Sequence, residues 1–146
     1  MTSTSTGKRM RLFIDTSAFL ALEDENDKEH GEALGYRERL RREETGFRAV
    51  YTSNYVLDEI LTLLRLKLGH RAAVVLGENL KRSKILRTLR VTPQIEDQAW
   101  NIFKKYDDKD FSFTDCTSFA LMEREAISVA FAFDEHFQQY GFQMVP

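Results

Sequence analysis

The chain has 146 residues, enough for one domain with a substantial hydrophobic core and too few for a second catalytic one. Apolar residues make up 42% and only nine residues are Gly or Pro, which excludes disordered and collagen-like chains; one cysteine, Cys116, and three scattered histidines (His30, His70, His136) offer neither a disulfide nor a recognisable ligand spacing. The net charge is −2, from 21 basic and 23 acidic residues, and the longest apolar run, Ala126 to Phe133, falls far short of the roughly 20 residues that span a bilayer, so a cytoplasmic protein without membrane contact is expected.

Residues 1–9 are Ser/Thr-rich and aperiodic and are expected to form a loose tail, leaving residues 10–146 as one domain. Leu12 to Ile14 reads as a buried strand whose end, Asp15-Thr16-Ser17, caps a helix to Leu22. A charged helix follows from Lys28 to Glu44, then a strand from Ala49 to Thr52. Ser53 caps a helix over Asn54 to Leu68, striped by Val56, Ile60, Leu63 and Leu64 and stopped by Gly69. Another helix is expected from His70 to Arg82, and a strand from Ile85 to Val91. Thr92-Pro93 opens a helix whose Ile95, Ala99, Ile102 and Tyr106 share one face. An acidic loop, Asp107 to Asp110, leads to a helix ending near Arg124. Ala126 to Phe133, apolar on both faces, predicts a central parallel strand; a short helix from Glu135 to Tyr140 and an edge strand from Phe142 to Val145 close the chain. Strands alternating with helices imply an α/β fold, with a parallel sheet of four to five strands flanked by helices on both faces.

Charge is unevenly distributed. Residues 65–90 carry eight Lys or Arg against Glu78 alone, including Arg65, Lys67, Arg71, Lys81, Arg82 and Lys84, whereas residues 15–36 carry seven acids against Lys28. A basic stretch beside acidic ones suits a protein that holds a phosphate backbone next to a cation, and it also suits an ordinary solvated helix face.

Ligands of parallel α/β sheets bind beyond the carboxyl ends of the strands, and Asp15 and Asp134 sit at two such ends. Glu59 lies next to the apolar stripe of its helix, although Asp58 could equally be the inward carboxylate. Asp115 follows Ser112 by three residues, which fits either a capping box or a site carboxylate at a helix N-terminus. Each of the four acids has a purely structural explanation. Together, with no His or Cys competitor evident, they suit a hard divalent cation, Mg²⁺ or Mn²⁺.

Four segments then carry a resemblance: Phe13-Ile14-Asp15-Thr16-Ser17, Ser53 to Ile60, Phe111-Ser112-Phe113-Thr114-Asp115-Cys116-Thr117-Ser118, and Ala130 to Phe137. In order and spacing they resemble the signature segments of PIN-domain nucleases, and the chain length is similar to that of VapC-type toxins of prokaryotic toxin–antitoxin pairs. The resemblance implies a divalent-metal-dependent endoribonuclease with Asp15, Glu59, Asp115 and Asp134 as its acidic set, favours Glu59 over Asp58, and leaves Thr16, Ser17 and Thr114 as supporting hydroxyls. Where the family often places a hydroxyl residue two before the last Asp, this chain has Ala132. The implied reaction is in-line attack of water on a phosphodiester, giving 5′ phosphate and 3′ hydroxyl products. An RNA substrate, a small antitoxin and a homodimer are the implied partners, with contacts sought first on the apolar-rich helices Asn54 to Leu68 and His70 to Leu80. The basic residues from Arg65 to Lys84 are the candidates for flanking phosphates, with Phe111 and Phe113 available for stacking.

Other chemistries built on a strand-end aspartate fit less well. A haloacid-dehalogenase-type phosphatase needs an acid two residues after Asp15, where Ser17 stands, and a response-regulator receiver needs a lysine at a late strand end, where Ala132-Phe133-Asp134 has none. The alternative from another class is a non-catalytic PIN-like module that binds RNA or protein.

Overall fold

The computed structural model describes residues 11–146, so the expected tail at 1–9 lies outside the described residues. Twelve elements follow in order: β1 (Arg11–Ile14), α1 (Thr16–Glu23), α2 (His30–Arg41), β2 (Ala49–Ser53), α3 (Asn54–Leu68), α4 (His70–Arg82), β3 (Leu86–Leu89), α5 (Pro93–Lys105), α6 (Phe113–Glu125), β4 (Val129–Phe131), α7 (His136–Tyr140) and β5 (Gln143–Val145). The strands form one sheet in the order β3-β2-β1-β4-β5, with every pair parallel. Phe13 of β1 registers with Tyr51 on one side and Ala130 on the other.

The three central strands β2, β1 and β4 are buried on two faces, whereas the edge strands β3 and β5 keep exposed positions such as Arg87, Thr88 and Gln143. Ile14, Val50, Leu86 and Phe131 line an apolar cavity of about 320 Å³ with Phe19 of α1, Leu40 of α2 and Leu76 of α4. Across the sheet Phe13 meets Phe137 of α7, whose ring lies edge-on to Phe119 of α6 with centroids 5.1 Å apart. Phe13, Phe119, Phe131 and Phe137 are all without solvent contact. Full burial of one such ring is worth about 2–3 kcal/mol, so this aromatic seam is a principal source of stability.

The strand order reverses direction between β1 and β4. From β1 the chain moves outward to β2 and β3, then returns to β4 on the other side and continues to β5. The helices leaving β1 and β4 therefore diverge and open a crevice at the carboxyl ends of these two strands. The ladder extends to that rim, since the Asp15 amide donates to the Phe131 carbonyl at 3.1 Å.

Three predicted boundaries shift. The expected strand from Ala126 to Phe133 is only Val129–Phe131, because Ala126 takes a left-handed conformation (φ 57°, ψ 40°) that ends α6, with the Ile127 amide returning to the Met122 carbonyl. Glycine is the usual signal for such a cap and is absent here. Likewise Glu43, at φ 56°, ends the α2 region earlier than the expected Glu44, with the Glu44 amide bonded to the Arg39 carbonyl. The expected strand from Ile85 to Val91 shortens to Leu86–Leu89, because the Val91 amide turns away to donate to Asn54 Oδ1.

Candidate active site

Asp15 is the residue at which β1 becomes α1. Its extended backbone continues the strand, while its carboxylate caps the helix: Oδ2 accepts from the Ser17 amide at 3.1 Å and from the Ser17 hydroxyl at 2.7 Å. The Ser17 hydroxyl in turn accepts from the amides of Phe133 (3.0 Å) and Asp134 (3.4 Å) just beyond β4. One serine thus orients the first acid and ties the two strand ends together.

Asp115 stands at the third position of α6 in a complete capping box. The Ser112 hydroxyl accepts from the Asp115 amide, and Asp115 Oδ2 accepts from the Ser112 amide, both at 3.0 Å. The two readings of this residue are compatible, because the same carboxylate also faces the crevice. Glu59 reaches in from α3, whereas Asp58 is exposed and lines a separate groove with Arg65 and Lys81, so of the two only Glu59 lines the cleft. Asp134 lies at the β4 end and accepts from the His136 amide at 3.0 Å.

All four acids line one cleft of about 290 Å³ together with Thr16, Ser17, Leu20, Leu63, Ser112 and His136. Asp15 is 3% exposed and Asp115 is 7% exposed. Burial pushes the Asp15 carboxyl up to about 7, partly offset by the Ser17 hydroxyl and reinforced by the charge of Asp115. Burial also raises Glu59, with the Thr16 hydroxyl opposing and Asp115 and Asp134 adding repulsion. Asp115 is raised by burial first, against the stabilising Ser112 amide and His136.

The donor set is one of hard oxygens whose negative charges repel one another. That chemistry fits a divalent cation coordinated by oxygen. Asp115, Asp134 and His136 also bring one potential ligand atom each to within 4.8 Å of one another. Spacing in the sequence gave no reason to pair His136 with distant Asp115; the only local signal was its place two residues after Asp134.

The other expected residues fall outside the cleft. Thr114 does not line it, and its carbonyl accepts from the Thr117 hydroxyl at 2.7 Å. Arg65, Lys67, Arg71, Lys81, Arg82 and Lys84 are exposed along the end of α3, on α4 and in the segment after it, and none lines the cleft. Leu63 marks the cleft edge on α3, and Arg65 lies about 9 Å along the helix axis from Glu59. Phe111 is buried against Phe119 and is a core residue, while Phe113 is half-buried and meets the exposed Phe103 edge-on.

Residues 12–143 match the family model described as PIN domain. The chain belongs to the PIN domain family. This PIN domain is 40% identical over 131 residues to the protein named 23S rRNA-specific endonuclease VapC20 in two strains of Mycobacterium tuberculosis, spanning 90% of this chain and 95% of that one. The crystal structure of M. tuberculosis VapC20, described as a Sarcin-Ricin loop cleaving toxin, superposes with a TM-score of 0.80 at 38% identity, covering 90% of this chain and 95% of that one. DNA-bound VapBC from Salmonella typhimurium shares the fold at 14% identity (TM-score 0.66, covering 93% and 97%). FitAcB from Neisseria gonorrhoeae does so at 18% identity (TM-score 0.67, covering 92% and 96%).

Proposed function

We propose that this PIN domain is a divalent-metal-dependent endoribonuclease of the VapC toxin type, with Asp15, Glu59, Asp115 and Asp134 as its acidic centre. The supporting observation is the convergence of these four carboxylates, drawn from β1, α3, α6 and the β4 end, in one cleft. Mg²⁺ or Mn²⁺ held among them supplies charge neutralisation at a phosphodiester and a lowered pKa for water.

The chain's own contribution is position. Ser17 fixes the Asp15 carboxylate in the orientation that caps α1, and Ser112 fixes Asp115 through the capping box. Both carboxylates are therefore preorganised as donors before any ion arrives, and Glu59 and Asp134 complete the oxygen lining. Leu20 and Leu63 line the cleft beside this polar floor. The exposed cations from Arg65 to Lys84 extend the same molecule with positive charge suited to neighbouring phosphates. The similarity to VapC20 suggests a structured 23S rRNA loop as substrate. The two-component VapBC and FitAcB structures suggest a small antitoxin partner. A homodimer is part of this reading, and exposed Leu66, Leu68, Val74 and Val75 on α3 and α4 place apolar surface on the helices where the sequence directs attention.

Cleavage of an rRNA-loop oligonucleotide should require Mn²⁺ or Mg²⁺, stop on chelation and disappear in Asp15→Asn. Cutting by that variant at the native rate would remove the mechanism. RNA binding by the native protein with metal present, but without cleavage of any RNA offered, would favour the non-catalytic binding module.

A further inference from the structure

His136 has no counterpart in the four-carboxylate set, yet it lines the same cleft. Its Nδ1 lies 2.8 Å from Asp115 Oδ2 and 3.1 Å from Asp134 Oδ1, so one ring nitrogen addresses carboxylates separated by 19 residues. The ring is held there from two sides. Its backbone amide is bonded to Asp134 Oδ1, and Phe111, buried, packs edge-on against it with centroids 5.5 Å apart. The other two histidines are differently placed: His30 Nδ1 faces the Ala21 carbonyl at 2.7 Å, and His70 is exposed beside Arg65.

We propose that His136 Nδ1 is a direct nitrogen ligand of the divalent ion bound by Asp115 and Asp134, making this a mixed oxygen–nitrogen centre that discriminates in favour of Mn²⁺ over Mg²⁺. The inference rests on the metal-dependent reading of the cleft. A nitrogen atom that close to two carboxylate oxygens, on a ring fixed by packing, shares the space between them with any ion they bind. With its proton on Nδ1 the imidazole bridges the two acids as a hydrogen-bond donor. With its proton on Nε2 it presents a lone pair at the same point. Imidazole suits the later divalent metals and Mn²⁺ better than it suits Mg²⁺, which strongly prefers oxygen and retains its waters.

Pulsed electron paramagnetic resonance of Mn²⁺ bound to the full chain reads the ligand directly. The native protein should show modulation from a coordinated ¹⁴N that changes on labelling its histidines with ¹⁵N. The signal should survive His30→Gln and His70→Gln and vanish in His136→Gln. By calorimetry, His136→Gln should bind Mn²⁺ about 10–100-fold more weakly, with a much smaller change for Mg²⁺. Stoichiometric Mn²⁺ binding to the native protein without nitrogen modulation overturns the assignment of His136 while leaving the carboxylate centre intact. Failure of the native protein to bind Mn²⁺ or Mg²⁺ at all overturns both. The native spectrum decides the question even if His136→Gln does not fold.

Discussion

A carboxyl that titrates near neutrality makes Asp15 the most consequential single side chain of the cleft. Its ordinary value is 3.8 and its folded value is about 7, so as pH rises the unfolded chain releases this proton first. Its contribution to metal-free stability is therefore complete below about pH 4, declines between pH 4 and 7, and is flat above. Asp15→Asn keeps an oxygen that accepts from Ser17 and removes the titration. Without metal, the variant should match the native protein at pH 4 and exceed it by about 2–4 kcal/mol at pH 8, measured by urea denaturation. A native protein at least as stable at pH 8 as its Asn variant would contradict the cost assigned to this buried charge. His136, by contrast, shows what spacing cannot reveal. A residue's chemistry is legible in sequence when its partner lies within a turn or at a strand end, and its main partner, Asp115, is 21 residues away.

At the scale of elements, most of what could be read was polar punctuation. Ser53 caps α3 through the Val56 amide, Thr92 caps α5 through the Ile95 amide, and Ser112 caps α6, each at its expected place. Two of the ends that shifted, at Glu43 and Ala126, are those where the backbone adopts a rare conformation without the residue that advertises it. Ala126 pays the steric cost of a left-handed cap in a position glycine fills without strain. Ala126→Gly should raise stability by about 0.5–1 kcal/mol, with a thermal midpoint a few degrees higher. A lower midpoint would mean that the alanine methyl contributes packing that outweighs its strain. The Glu59/Asp58 ambiguity belongs to this scale too, since the two neighbours straddle the boundary of the buried stripe, Asp58 exposed and Glu59 half-buried at the cleft.

For the whole molecule, the parallel sheet with helices on both faces was accessible because strands alternate with helices along the chain and the strand Val129–Phe131 is apolar on both sides, while the strand order was not. The meeting of β1 with β4 was not spelled out by any local pattern. It follows from the return crossover and decides whether Asp15 and Asp134 share a crevice. Charge behaves differently at this scale: segments of opposite sign give a net value of only −2, and the exposed cations and the buried acids occupy separate surfaces. Metal should therefore act on global stability through the cleft alone. At a Mn²⁺ concentration 100 times the dissociation constant, the native protein should gain about 2.7 kcal/mol, reversed by chelator. An Asp115→Asn variant should gain little. Equal thermal shifts in the two proteins would place the ion elsewhere.

The Ser17 hydroxyl joins Asp15 to the amide of Phe133, a bond across 116 residues of chain. Two further members of the cleft, Asp134 and His136, lie just beyond the bonded amide. The pocket is therefore finished only when β4 docks beside β1, so its acids depend together on one long-range strand pairing and not on any local turn.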